Sequence, residues 1–114
     1  MQITDNQAKS CYEGVIDDQV VGVVVYKRIR GRVVIRHTVI ESEFRGKGLG
    51  AQLVRSVLDD LRQRGDKISN YCGFVADFIA ENPEYHDLVD ADRPGVTAPR
   101  ELRGQEGVAP APFQ

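Results

Sequence analysis

The segment "HTVIESEFRGKGLGAQLV", residues 37–54, limits the fold more than any other part of the chain. A β-branched run stops at Ile40, three glycines fall within five residues at Gly46, Gly48 and Gly50, and an apolar helical period starts at once. Leu49, Leu53, Val54, Val57, Leu58 and Leu61 recur at spacings of three and four, which is one face of a helix. Gly65 is a stop signal, and Arg62 and Arg64 sit in the last turn, where the helix dipole favours positive charge. The chain therefore passes from strand to helix through a glycine loop. A strand–helix–strand crossover places the next strand, "KISNY" at 67–71, parallel to the one before the loop if both share a sheet.

Upstream, "AKSCYEGVI" (8–16), "VVGVVVYKRI" (20–29) and "RVVIRHTVI" (32–40) read as three strands joined by short turns, hence as an antiparallel meander. The long apolar run of the second predicts a central strand covered on both faces, while residues 1–7 carry little pattern. Downstream, "FVADFIAEN" reads as a short helix stopped near Pro83, and "PEYHDLV" closes the ordered region. The expected fold is mixed α/β of the α+β kind: a three-strand meander, a crossover helix, one parallel strand and a final helix. Residues 1–90 make the expected domain. Residues 91–114 hold four of the five prolines and no apolar period, and are expected to form a flexible tail.

A chain of 114 residues suits a single domain with a modest core. Its net charge of −2 and the lack of an aromatic–basic stripe argue against nucleic acid as a partner. No leader or long apolar span is seen, so a soluble protein of the cytoplasm is expected, with no membrane role. Cys11 and Cys72 make neither a disulfide framework nor a metal ligand set, and no metal is expected.

Glycines before a helix start suit an anion site, because the first N–H groups have no partner within the helix and the dipole adds positive potential. Glycine also lets a phosphate reach the backbone without striking a Cβ. Arg45 and Lys47 add charge there. A tight strand-to-helix turn is the plainer explanation, but one glycine would serve it. The P-loop pattern is missing, and the dinucleotide-binding pattern lacks both its third glycine, at Leu53, and an acid on the next strand.

A third pattern fits. Arg45, Gly48 and Gly50 match [RQ]-x-x-G-x-[GA] between an apolar strand and an amphipathic helix. This resembles the coenzyme A pyrophosphate loop of the GNAT acetyltransferase superfamily. "HT" followed by "EFRGKGLG", then "CGFVADFIAENPEYHDLV", is similar to a group of minimal GNAT proteins, over about residues 8 to 89. The group's pattern usually has a glutamate where Val39 stands and a proline where Gly73 stands. The resemblance implies an acetyl-CoA-binding fold with an open acceptor side. It implies that the backbone of Val39, Ile40 and Glu41 flanks the pantetheine arm, that the amides of Arg45, Gly46, Lys47, Gly48, Leu49 and Gly50 hold the pyrophosphate, and that an N–H near Val39–Ile40 stabilises the oxyanion.

Acetyl transfer to an amine needs that amine neutral. At pH 7 this costs about 4.6 kcal/mol for a lysine and about 1.4 kcal/mol for an α-amine. With Val39 in the acid's place, His37, Glu41, Glu43 and water are the candidate bases. Histidine is matched to neutral pH, and His37 shares strand parity with Val39, although a strand histidine is often only packed and hydrogen-bonded. Cys72 lies between a strand and a helix, a setting that can activate a thiol; it is a candidate acyl nucleophile, a contact for the pantetheine arm, or a small buried apolar residue. Cys11 has no such setting and is read as structural. Asn70 and Tyr71 are candidates for lining the cofactor cleft, with core or surface roles as alternatives, and Tyr85 is expected to pack or hydrogen-bond. The leading expectation is an N-acetyltransferase that moves an acetyl group from acetyl-CoA to an unidentified amine; the alternative is a non-catalytic coenzyme A-binding module acting through a partner protein.

Overall fold

Two tight hairpins organise the sheet. Asp17 and Asp18 (φ 50° and 63°) join the second and third strands, and Arg30 and Gly31 (φ 45° and 80°) join the third and fourth. Positive φ at both central residues is the turn that matches the right-handed twist of paired strands. In the computed structural model, which describes residues 1–96, five strands follow one another across the sheet in chain order. They are β1 (Gln2–Asn6), β2 (Cys11–Ile16), β3 (Gln19–Ile29), β4 (Arg32–Ile40) and β5 (Lys67–Asn70). The first four are antiparallel neighbours, and β5 runs parallel to β4 after the crossover helix α1 (Leu49–Arg64). A second helix, α2 (Gly73–Glu81), and a 3-10 turn over Pro83–Leu88 complete the ordered elements.

The mixed α+β fold is thus the expected one, with one strand added. Residues 1–7 contain β1, whose five residues pair with β2 from Gln2↔Val15 to Asn6↔Cys11. Its sequence, QITDN, has a single large apolar residue, so hydrophobic alternation could not reveal it. Besides its ladder with β2 and the packing of Ile3 on the core, ion pairs and hydrogen bonds tie it down. The Asp5 carboxylate accepts from the Tyr26 hydroxyl and pairs with Arg64 at 3.1 Å and Arg28 at 3.6 Å. Beside it Tyr12 donates to Asp60 at 2.6 Å, and Arg64 also reaches Asp60 at 3.0 Å. This network ties the sheet edge to the C-terminal end of α1 and so fixes where the opposite end of that helix points.

The expected double cover of β3 is not met. Val24 and Tyr26 join one core with Leu53, Val54, Val57, Leu58 and Leu61 of α1, Val75, Phe78 and Ile79 of α2, and Tyr85 and Leu88. Both helices therefore pack on one sheet face. On the other face Val23 and Val25 are half-buried. The apolar run of β3 reflects its central position rather than two helical layers.

Residues 91–96 run beside β5 rather than leaving the domain. Asp90 donates to the Ile68 carbonyl at 2.8 Å, Asn70 donates to the Pro94 carbonyl at 2.9 Å, and Val96 donates to the Asn70 carbonyl. The rest of the expected tail, residues 97–114, lies outside the described residues. No helix among the described residues is long and apolar enough to cross a membrane.

Burial and the hydrogen bond to Asp5 push the Tyr26 phenol up to about 12, and burial with the Asp60 contact pushes Tyr12 upward as well. A pKa raised on folding means that the protonated phenol stabilises the native state. That stability is complete below the unfolded tyrosine value of ~10 and is lost as pH rises through ~12. Urea unfolding from pH 8 to 12 should show a flat midpoint to about pH 10 and then a fall. Tyr26→Phe should be less stable at pH 8 and fall less steeply; a slope equal to that of the parent would rule this network out as the source.

Candidate active site

The site begins where β4 and β5 part. They pair only from Arg32↔Lys67 to Ile35↔Asn70, and the last bond is Tyr71 N–H to the Ile35 carbonyl at 2.8 Å. The register of β4 against β3 then slips: Val25 faces His37 but Tyr26 faces Ile35, which leaves Arg36 as an extra residue. Such a bulge bends its strand and reverses which side chains face the core. Before it Val33 and Ile35 lie in the core; after it Thr38 and Ile40 turn to the helix side, and His37 and Val39 turn to the opposite face. On the other strand Asn70 ends the pairing. Its Oδ1 accepts from Cys72 N–H and its Nδ2 donates to the Cys72 carbonyl, both at 3.0 Å. The chain turns there into α2, with Cys72 at the N-cap. Thr38 Oγ1 and Cys72 Sγ lie 3.5 Å apart across the gap.

The parted edge of β4 exposes its main chain. Glu41 N–H donates to the Val21 carbonyl at 2.9 Å. In an antiparallel ladder bonded residues alternate, so His37, Val39 and Glu41 direct their main-chain groups to β3, and Thr38 and Ile40 direct theirs away from it. The Ile40 carbonyl is taken by Arg45 Nε at 3.0 Å. The N–H groups of Thr38 and Ile40 and the Thr38 carbonyl are then aimed into the gap.

The loop after β4 makes a 3-10 turn over Ser42–Phe44, after which Gly46 and Gly48 take φ of +79° and +75°. A Cβ at either would meet nothing within 4 Å, so handedness rather than crowding within the chain selects glycine there. Gly48 caps α1 without a side-chain hydrogen bond, and the first helical bond runs from Gln52 N–H to its carbonyl at 3.3 Å. The N–H groups of Leu49, Gly50 and Ala51 therefore lack an intrahelical partner. Gly50 has a different reason: its Cβ would come within 2.9 Å of the Phe74 ring.

These parts surround one cleft of about 390 Å³, lined by Thr38, Ile40, Phe44, Arg45, Gly46, Gly48, Leu49, Gly50, Ala51 and Phe74. It is within the size range of small-ligand sites, and mostly apolar as such sites usually are. Of the residues expected to touch a cofactor, Ile40, Arg45, Gly46, Gly48, Leu49 and Gly50 line it. Lys47 lies outside the lining, with Nζ 5.8 Å from the centre of the Phe44 ring. Val39 and Glu41 direct their backbone to β3, and the Val39 side chain is exposed on the far face with His37. Asn70 is buried and committed to the Cys72 turn, while Cys72, 5% exposed, stands behind Thr38.

Thr38, Phe44, Ala51 and Phe74 line the cleft without having been singled out. The side that Thr38 faces depends on the bulge, which no periodicity announces. Phe74 needed the packing of α2 against α1. Glu43 contacts Gln19 at 3.3 Å rather than entering the cleft, and Arg45 is the only ionisable side chain among the described residues that line it. Tyr85 packs as expected: its ring lies 5.6 Å from that of Phe78, its hydroxyl donates to Asp59 at 2.7 Å, and Arg55 donates to it at 3.1 Å. Among the described residues no group of three or more His, Cys, Asp or Glu could hold a metal ion.

An antiparallel meander that crosses over to one parallel strand, with an uncapped helix start beside the splayed pair, is the GNAT-like mixed fold. The model of the GCN5-related N-acetyl-transferase family matches residues 11–88, from the start of β2 to the end of the 83–88 turn, and the chain belongs to that family. Among solved structures, a GCN5-like protein from Staphylococcus aureus shares the fold with a TM-score of 0.57 at 21% identity, over 76% of this chain and 85% of that one. An acetyltransferase from Vibrio fischeri gives a TM-score of 0.43 at 22% identity over 54% and 59%. No curated protein matches the sequence.

The two kinds of glycine predict different costs. Gly48→Ala forces a left-handed alanine and should lower unfolding free energy by about 1–2 kcal/mol. Gly50→Ala meets only the tip of a movable ring and should cost less, with the loss relieved by adding Phe74→Ala. Urea denaturation of the three variants decides this; an unaffected Gly48→Ala would mean that the left-handed turn is dispensable.

Proposed function

We propose that this protein is an N-acetyltransferase that binds acetyl-CoA and passes its acetyl group to an amine. The observation that carries the reading is the continuity of one cleft. It opens on the uncapped start of α1, suited to a pyrophosphate, and follows the free edge of β4, suited to an amide-bearing arm, to Thr38 at the point where the strands part. The amides from Arg45 to Gly50 hold the pyrophosphate, and Arg45 and Lys47 add charge around it. The parted main chain of Thr38 and Ile40 takes the pantetheine arm. The Thr38 or Ile40 N–H stabilises the oxyanion, a donor worth about 2.7–4 kcal/mol in comparable sites.

The amine approaches from the helix-free face of the sheet, where His37 stands exposed beside Val39. His37 is the candidate base there, and Cys72 flanks the thioester from the helix side. With no carboxylate among the described residues that line the cleft, acceptors whose amines are already partly neutral at pH 7 are favoured over lysine, for the ~3 kcal/mol difference in deprotonation cost. The same lack of an acid supports a second reading, a coenzyme A-binding module that acts through a partner.

Calorimetric titration with acetyl-CoA should show binding that Gly48→Val abolishes while its circular dichroism stays native. Thiol release with a panel of amines should then show turnover, faster with α-amines or weakly basic amines than with lysine. Binding without turnover on every amine would turn the assignment toward the module, and no binding would end both readings. Cys72→Ala should lower turnover more than Cys11→Ala; equal effects would remove Cys72 from the reaction.

A further inference from the structure

The inner end of the cleft is built more firmly than its mouth. Thr38 stands at that end, and its hydroxyl touches the Cys72 thiol at 3.5 Å across the parted strands. Cys72 belongs to the main core, in one cluster with Ile35, Leu53, Val75 and Ile79. Its main chain is gripped on both sides by the Asn70 side chain, itself 1% exposed. Asn70 in turn is bonded through its backbone to Pro94 and Val96. Behind Thr38 there is thus packed protein, held by a chain of contacts that leads back to the segment covering β5. The outer end, by contrast, is loop backbone and the half-open ring of Phe74.

We propose that the Thr38–Cys72 pair is an end wall that restricts the transferred group to a short acyl chain. The proposal rests on the coenzyme A reading above. A thioester arm laid along the β4 edge with its phosphates at α1 points its acyl group at Thr38. A wall backed by close-packed core cannot retreat to admit further methylenes. The thiol here acts by its volume and its contact with Thr38, not as an acyl carrier.

Calorimetric titration with free coenzyme A, acetyl-CoA and butyryl-CoA tests this in the parent, Thr38→Ala, Thr38→Val and Cys72→Ala. The parent should bind acetyl-CoA at least about tenfold more tightly than butyryl-CoA, the worth of excess methylenes in a fitted pocket. Thr38→Ala should shrink that preference by about tenfold, Cys72→Ala should move it the same way, and Thr38→Val, which keeps the volume, should retain it. A parent that binds both acyl forms equally, or a preference unchanged in Thr38→Ala while free coenzyme A still binds, overturns the end wall and leaves the cofactor assignment standing. Failure of the parent to bind free coenzyme A as well as both acyl forms removes the cofactor assignment and the wall with it.

Discussion

The parting of β4 from β5 is the constraint on which the site depends, and one extra residue produces it. If Arg36 fitted the ladder, Thr38 would continue the alternation set by Val34 and turn away from the helices. The bulge reverses that parity and bends the strand away from its parallel neighbour. Two consequences follow together. The N–H groups of Thr38 and Ile40 and the Thr38 carbonyl turn toward the side where β5 has parted, and the Thr38 hydroxyl comes to face Cys72. An unpaired strand edge inside a domain is costly unless something else satisfies it, which makes the gap a natural binding edge.

The other half of the site depends on where α1 begins. Its C-terminal end is held to the sheet edge by Asp5, Asp60, Arg64 and the two tyrosines, and its middle is buried against the sheet through Leu53, Val54 and Val57. With the helix axis so fixed, its uncapped first turn faces the same cleft as the β4 edge. No acid lies in that turn to compete for the free N–H groups. Gly46 and Gly48 supply the left-handed turns that bring the chain from strand to helix, and Gly50 lets Phe74 close against the helix to form the cleft's outer wall. One short motif therefore serves two physical ends, turn geometry and helix–helix packing.

The face opposite the helices gives the fold its functional asymmetry. Both helices and the 83–88 turn share one core, so His37, Val39 and, half-buried, Val23 and Val25 of β3 lie on the other side. The cleft is closed behind by core and open in front through the parted strands.

The antiparallel meander, the crossover helix with its glycine entry and the parallel fifth strand are all legible in the linear chain. Each is written in local signals: β-branched alternation, a three-and-four apolar period, glycine and proline punctuation. The sequence also marked Arg45, Gly48 and Gly50, because a helix start is a property of a few consecutive residues. The remaining features exist only once the strands and helices meet. Strand β1 has almost no apolar pattern and is held by Asp5 meeting arginines from β3 and α1. The bulge at Arg36 is a mismatch between two strands, so it exists only in their pairing, and with it the choice of Thr38 and Ile40 over Val39 and Glu41 at the open edge. Asn70 looked like a cleft residue in the linear chain but is spent on turning Cys72 out of the strand. Local propensity can name the elements; which face a side chain presents after a slip in register is settled only when the neighbouring strand is in place.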